Sequence, residues 1–214
     1  FFNNMMDYIK SKISNIIDAD SYKINNMVFS FSFIDNNDLL VLHIYNPNNE
    51  ELVVNSKNRD FYDKVSKMLF VKDKNNKHKG CFNHQRNDDD KLYNQNITVF
   101  ELINSFLKIQ YTFILINLKN NDFTPVSLFC LVDNYIYDVC TSYYHRNKRY
   151  MTKLFTHFIE LVKTNKLKNG THKTIQLDVV KVNPDFKMVI DYYKKFGFKI
   201  TDNLDNKIIM AKKI

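Results

Sequence analysis

Glycine, proline and cysteine are scarce in this sequence, with three residues of each among 214, and tryptophan is missing. Three cysteines are too few for a disulfide framework. Cys130 and Cys140 lie in apolar, strand-like runs, which is typical of reduced, buried thiols in an intracellular protein. No apolar run approaches the roughly 20 residues that a membrane-spanning helix needs. The sequence therefore excludes a disulfide-stapled scaffold and predicts a cytoplasmic protein with no membrane partner.

Hydrophobic side chains are plentiful instead, at 44% of the chain with 14% aromatic, so a buried core can form. A length of 214 residues suits one domain, or one domain with an extension. The formal net charge of +8 favours anionic partners. Nucleic acid, an anionic membrane surface and a phosphorylated cofactor all satisfy that preference, so the charge alone selects none of them.

The first 97 residues carry structural signals without a recognisable motif. Helical spacing of apolar residues predicts helices, alternation predicts a hairpin, and a polar, charged run predicts a long loop. In chain order these are a helix over 5–17, strands over 27–34 and 39–45, a helix over 59–70 and a loop over 71–96. The loop holds His78, Cys81 and His84, but no fourth ligand of matching spacing follows, so no metal site is predicted.

Residues 98–214 alternate strands and helices, and they predict a mixed α/β (α+β) layer fold. Gly197 directly follows the last helix, where a C-cap glycine is expected. The predicted order is helix 98–109; strands 111–118, 125–132 and 135–141; a basic turn 144–149; helix 150–164; strand 174–182; helix 185–196; and two strands that begin at Phe198 and Lys207.

The basic turn between the third of these strands and the following helix carries the strongest chemical signal. A helix N-terminus offers unpaired backbone N–H groups and the positive end of the helix dipole, so a turn leading into it can bind an anion. Arg146, Lys148 and Arg149 add positive charge there. The residues alone leave two interpretations open: a phosphate-binding site, or a solvated basic turn of the kind that any basic protein carries.

Two further segments shift this balance towards a known family. The loop Arg146-Asn147-Lys148-Arg149-Tyr150-Met151 resembles the pyrophosphate loop of the GNAT superfamily of N-acetyltransferases, written (Q/R)-x-x-G-x-(G/A). Tyr193-Lys194-Lys195-Phe196-Gly197-Phe198 resembles that family's Y-x-K-x-G-F signature, and Asn183 precedes it. The order of elements from Tyr111 onward is also similar to the family's core. The resemblance covers roughly residues 98–214.

The resemblance implies a mostly antiparallel mixed sheet flanked by helices, acetyl-CoA as cofactor and a primary amine as acceptor. In this pattern, Val139, Cys140 and Thr141 lie on a strand that parts from its neighbour and pairs with the pantetheine arm. Asn183 contacts the cofactor, and Tyr193 protonates the leaving thiolate as a general acid, with the adjacent Tyr192 as the alternative. Backbone N–H groups of the loop bind the CoA pyrophosphate, and the loop residues are Arg146, Asn147, Lys148, Arg149, Tyr150, Met151 and Thr152.

The chain departs from the family pattern within this loop. Arg149 stands where the family has its first glycine, and Met151 stands where it has a second small residue. Because the donors are main-chain groups, Arg149 either adds a phosphate contact or weakens cofactor binding, and the sequence leaves both open. The general base is open among Asp138, Asp178 and His145, of which Asp138, on the cofactor strand, is the one predicted.

The acceptor is not indicated, since residues 1–97 match no subfamily. These residues are predicted to complete the acceptor side of the same domain or to form a homodimer contact. Two other functions remain open: a basic nucleic-acid-binding module, favoured by the charge and the many aromatic residues, and a GNAT-like scaffold without catalysis, favoured by Arg149. Because acidic residues are interleaved with the basic ones and the aromatics largely occupy periodic core positions, no specific nucleic-acid partner is predicted.

Overall fold

The computed structural model describes eight strands, three α-helices and several of their connections. The predicted helices over 5–17 and 98–109 and the predicted loop over 71–96 lie outside the described residues, apart from Asp7 and Ser11, which are helical. The described residues are 7, 11, 28–35, 38–48, 59–69, 110–119, 123–167, 174–181 and 183–214.

The described elements follow the predicted order closely. Each strand or helix predicted within the described ranges is present, with boundaries that differ by a few residues at most. The strands are β1 (Val28–Ile34), β2 (Leu39–Tyr45), β3 (Tyr111–Asn117), β4 (Thr124–Val132), β5 (Tyr135–Thr141), β6 (Thr174–Val180), β7 (Lys199–Asn203) and β8 (Lys207–Lys213). The helices are α1 (Arg59–Leu69), α2 (Tyr150–Lys163) and α3 (Phe186–Lys195).

All eight strands belong to one sheet, in the order β1-β2-β3-β4-β5-β6-β8-β7. Every neighbouring pair is antiparallel except β5 and β6, which are parallel. This mixed, mostly antiparallel sheet with flanking helices confirms the predicted fold class. The first hairpin is continuous with the rest, because β2 pairs with β3 along its whole length, from Leu39 opposite Asn117 to Tyr45 opposite Tyr111.

The main core lies between the sheet and α2. The apolar stripe that predicts α2 is buried: Leu154, Phe155 and Phe158 are each 0% exposed. They pack on central strands that are buried along most of their length, which explains why β3 and β4 read as continuous apolar runs rather than as alternating ones. Helix α1 packs against β4 with its own buried stripe, formed by Phe61, Val65, Met68 and Leu69.

Gly197 ends α3 as the sequence predicts. Its φ is +85°, in the left-handed region that glycine enters without steric cost. The N–H of Gly197 donates to Lys194 O at 2.9 Å and the N–H of Phe198 donates to Tyr193 O at 3.3 Å, so the last carbonyls of the helix are satisfied. The chain then turns directly into β7.

The cysteines differ from the sequence-based expectation at one position. Cys130 is a buried free thiol, as predicted, whereas Cys140 is disulfide-bonded. The expectation of a reduced thiol is therefore wrong for Cys140. Among the described residues, no helix combines the length and apolar character that crossing a membrane requires.

Candidate functional site

The sheet has a gap between its two parallel strands, β5 and β6. β5 and β6 pair only through Tyr135 with Gln176 and Ile136 with Leu177, and the N–H of Gln176 donates to Asn134 O at 2.8 Å. Beyond Ile136 the two strands part, while β5 stays paired with β4 as far as Thr141. Because α2 follows β5 and α3 follows β6, both helices begin near the open end of this wedge.

A β-bulge changes the direction of β5 inside the wedge. Leu128 pairs with Cys140 and Cys130 pairs with Tyr137, so β5 carries one more residue than β4 over this stretch. Asp138 adopts a φ of +52° at the bulge. A bulge of this kind bends a strand and re-aims the side chains that follow it.

A cavity of about 600 Å³ occupies the wedge. Four parts of the chain surround it: the end of β5, the basic turn, the first turn of α2, and the segment from Asn183 into α3. The lining residues are Val139, Thr141, His145, Arg146, Asn147, Arg149, Tyr150, Met151, Thr152, Asn183, Asp185, Met188, Val189 and Tyr192.

The basic turn and the first turn of α2 form one wall of this cavity. A 3-10 turn over Tyr143–His145 leads into Asn147 and Arg149, whose φ values are +63° and +60°. Arg149 is the N-cap of α2 and makes no side-chain cap hydrogen bond, and the first helical bond runs from the N–H of Lys153 to Arg149 O at 3.0 Å. The first-turn N–H groups of α2 therefore lack an acceptor within the helix. Such N–H groups, with left-handed residues beside them, form an anion-binding concavity.

The side chains of the turn add positive charge to this end of the cavity. Arg146 and Arg149 line it, whereas Lys148, between them in sequence, does not. The Arg146 guanidinium also lies 5.2 Å from the centre of the Tyr143 ring. Asp185 is the one acidic residue in the described lining, so the turn end of the cavity is net cationic and suited to an anionic group.

Arg149 has a left-handed backbone conformation, with a φ of +60°. A non-glycine residue in the left-handed region costs roughly 1–2 kcal/mol, and glycine loses roughly 0.5–1 kcal/mol more backbone entropy on folding. We therefore expect Arg149→Gly to stabilise the ligand-free protein by up to about 1 kcal/mol, measured by urea unfolding. Arg149→Ala is the control, since it removes the same charge and keeps the strain. Equal stability of the two variants would contradict this account.

Two adjacent tyrosines on α3 have different environments. Tyr192 lines the cavity, and its Oη lies 3.4 Å from Thr152 Oγ1. Tyr193 is 5% exposed in the core, with its ring centre 5.7 Å from that of Phe155 and 5.9 Å from that of Phe198. Burial raises the pKa of both phenols, and it raises that of Tyr193 well above its ordinary range. This placement disfavours Tyr193 as the proton donor and favours its neighbour.

The three candidate bases also differ in their position relative to the cavity. His145 lines the cavity, and its Nδ1 lies 3.2 Å from Ser142 Oγ. Asp138 sits at the bulge outside the described lining, and burial raises its pKa. Asp178 is engaged elsewhere, because its Oδ2 lies 3.0 Å from Lys207 Nζ. Asp138 and His145 remain the candidates.

Nine of the eleven predicted cofactor-binding residues line the cavity together, and Cys140 and Lys148 do not. Asn183 is among the nine, and its Oδ1 accepts the N–H of Asp185 at 2.9 Å, which shapes the entry into α3. Asp185, Met188 and Val189 also line the cavity and were not predicted from the sequence. The sequence signal that could have found them is their helical spacing, because these three residues and Tyr192 recur at intervals that place them on one side of α3. In the structure Met188 is 65% exposed despite being apolar.

No protein-family model matches the chain, and no curated protein matches it. Solved structures similar to it include an acetyltransferase from Streptococcus agalactiae, with 17% identity, a TM-score of 0.48 and coverage of 83% of this chain and 99% of the other. An aminoglycoside 6'-N-acetyltransferase complexed with coenzyme A has 14% identity, a TM-score of 0.46 and coverage of 77% and 95%. The ribosomal-protein-S18-alanine N-acetyltransferase from Escherichia coli has 17% identity, a TM-score of 0.37 and coverage of 48% of this chain and 68% of the other. Because these identities and scores are low, the function is inferred from the site's own geometry.

Proposed function

We propose that the chain is an acyl-CoA-dependent N-acyltransferase that transfers an acetyl group from acetyl-CoA to a primary amine. The observation that carries this proposal is a single cavity that joins a helix N-terminus to the gap between two parting strands. Coenzyme A combines an anionic pyrophosphate with a long, neutral arm that contains amides. The cationic turn suits the first part of this molecule, and the exposed edge of a strand suits the second.

The pyrophosphate is assigned to the turn. Backbone N–H groups from Asn147 to Thr152 donate to its oxygens, and Arg146 and Arg149 supply charge. The fit is supported by the missing side-chain cap at Arg149, since a bound anion would satisfy first-turn N–H groups that have no acceptor within the helix.

The pantetheine arm is assigned to the wedge. Its amides hydrogen bond to the backbone of β5 near Val139, on the side from which β6 has parted. Asn183 and Tyr192 form the facing wall. This arrangement uses the arm as a short additional strand, so the affinity comes from main-chain hydrogen bonds.

The chemistry follows from this placement. A neutral amine attacks the thioester carbonyl, the C–N bond forms, the C–S bond breaks, and the thiolate takes a proton. We assign stabilisation of the developing oxyanion to the backbone N–H of Val139, which follows Asp138 at the bulge and lines the cavity. Asp138 or His145 accepts the proton that the amine loses. Burial raises the pKa of Asp138, which makes its carboxylate a stronger base than an ordinary aspartate.

Thermal unfolding with acetyl-CoA tests the proposal. At about 100-fold over Kd, a ligand that binds only the folded state stabilises it by roughly 2.7 kcal/mol, which should raise Tm by roughly 5–10 °C for a chain of this size. ATP at the same concentration is the control for general anion binding. An equal rise with ATP, or no rise with millimolar acetyl-CoA, would overturn the proposal.

The nucleic-acid alternative has little support from the described surface. Of the large hydrophobic side chains that are exposed there, only Tyr137 and Tyr144 are aromatic, at 43% and 62%. The described phenylalanines lie mainly in the core, as the sequence pattern predicts. Base stacking needs exposed rings, so the charge remains the main feature that favours nucleic acid.

A further inference from the structure

We propose that Tyr192, oriented by the hydroxyl of Thr152, is the group that protonates the leaving thiolate. This inference rests on the proposed function and adds to it the identity of the acid and of the residue that positions it. The acid is thus Tyr192 rather than Tyr193, the tyrosine that matches the Y-x-K-x-G-F pattern.

The location of the two phenols carries the assignment. An acid must reach the leaving sulfur, so it must lie in the cavity that holds the arm. Tyr192 lines that cavity together with Val139 and Thr141 of β5. Tyr193 belongs to the buried core, where its ring packs against Phe155 and Phe198. Tyr193 is not among the residues that line the cavity.

The hydroxyl of Thr152 lies within hydrogen-bond reach of the Tyr192 hydroxyl. The two oxygens are 3.4 Å apart, and either can be the donor. If Tyr192 is to release its proton into the cavity, its O–H must point there, so Thr152 must donate to Tyr192 Oη. A donated hydrogen bond stabilises the phenolate that remains after the transfer. Thr152 lies in the first turn of α2, so the same turn that is assigned to the pyrophosphate also holds the acid.

The titration of Tyr192 is consistent with this role. Burial raises its pKa, and the hydrogen bond from Thr152 opposes that rise. The phenol is therefore protonated at neutral pH and available as an acid, while Thr152 keeps the loss of its proton from becoming too costly. The transfer balances: the amine gives one proton to the base, Tyr192 gives one to the thiolate, and the proton on the base returns through water to the Tyr192 phenolate.

The test compares Tyr192→Phe with Tyr193→Phe, the same change one position apart. Thiol release from acetyl-CoA is measured with spermidine, glucosamine and an unblocked lysine-containing peptide as acceptors. Tyr192→Phe is expected to lower kcat by roughly 10²–10⁴-fold, and its stabilisation by acetyl-CoA should be retained. Tyr193→Phe should keep kcat within a few-fold, and its unfolding curve, recorded in parallel, shows that it is folded at the assay temperature.

Thr152 is tested through variants that keep its backbone N–H. Thr152→Val, which has nearly the same shape, is expected to lower kcat about ten-fold with little change in the KM for acetyl-CoA, and Thr152→Ser should restore most of it. A purely structural role would not be rescued by the hydroxyl alone.

The outcomes separate the two proposals. If the wild-type chain releases no thiol and gains no stability from acetyl-CoA, the proposed function fails, and this inference fails with it. If the wild-type chain turns over and Tyr192→Phe turns over equally well, the proposed function stands and this inference is overturned. Loss of turnover in Tyr193→Phe with a normal unfolding curve also overturns it.

Discussion

Replacing Phe155 with alanine is expected to lower the free energy of unfolding by about 3–5 kcal/mol. The side chain is 0% exposed, and its ring centre lies 5.0 Å from that of Phe129 and 5.5 Å from that of Phe196. It therefore joins α2 to both the sheet and α3. Removing the ring deletes its aromatic contacts and leaves a cavity that rigid elements on three sides can close only in part.

This prediction is checked by urea and thermal unfolding without ligand, where Tm should fall by roughly 10 °C. Thr156→Ala is the matched control, because Thr156 is the next residue on α2 and is exposed. Its stability should change by no more than about 0.5 kcal/mol. Similar losses in the two variants would mean that the helix itself, rather than the packing of Phe155, sets the stability. Since α2 and α3 form two walls of the cavity, Phe155→Ala should also weaken acetyl-CoA binding.

The described secondary structure could be predicted because each element carries its own period. β3 and β4 are short apolar runs bounded by polar turns, and α2 has an apolar stripe at helical spacing. The pairing of β3 with β4 and of β4 with β5 followed from chain order, since these connections are short. The contribution of β1 and β2 to the same sheet was not predicted, because β2 pairs with β3 across more than 60 intervening residues. A long-range pairing of that kind leaves no local signal.

The choice between Tyr192 and Tyr193 could not be made from the sequence. Adjacent residues on a helix point about 100° apart, so one of them faces inward only once the packing of the helix is known. On α3 the inward side is set by Ile190 and Tyr193, which are both buried. The family pattern marks Tyr193, whereas the cavity is formed by the stripe that contains Met188 and Tyr192.

The backbone conformations at the site had no glycine to mark them. Outside glycine, six described residues have positive φ: Asp35, Asp133, Asp138, Asn147, Arg149 and Asn165. Five of them are Asp or Asn, the residues that best tolerate this region after glycine. In a chain with only three glycines, these residues take over the tight conformations, including the bulge of β5. Arg149 is the exception, and its position at the N-cap of α2 suggests that its charge is kept there for binding.

Reversing the charge of the two cavity-lining arginines, Arg146→Glu with Arg149→Glu, is expected to weaken acetyl-CoA binding by at least about 100-fold. A hydrogen bond to a charged group contributes roughly 1.5–3 kcal/mol, and two such contacts to phosphate would be replaced by repulsion. Binding is measured by calorimetry at fixed ionic strength. The backbone N–H groups remain in place, so the experiment isolates the side chains from the main-chain donors.

Lys148→Glu with Lys166→Glu is the matched control for this variant. Each replacement lowers the formal charge by two, so both double variants carry +4 instead of +8. Lys148 lies between the two arginines without lining the cavity, and Lys166 lies just beyond the other end of α2. Because neither lysine lines the cavity, the control should lose only a few-fold in affinity. Equal losses would show that the net charge of the protein attracts the cofactor, whereas a large difference would assign the attraction to Arg146 and Arg149.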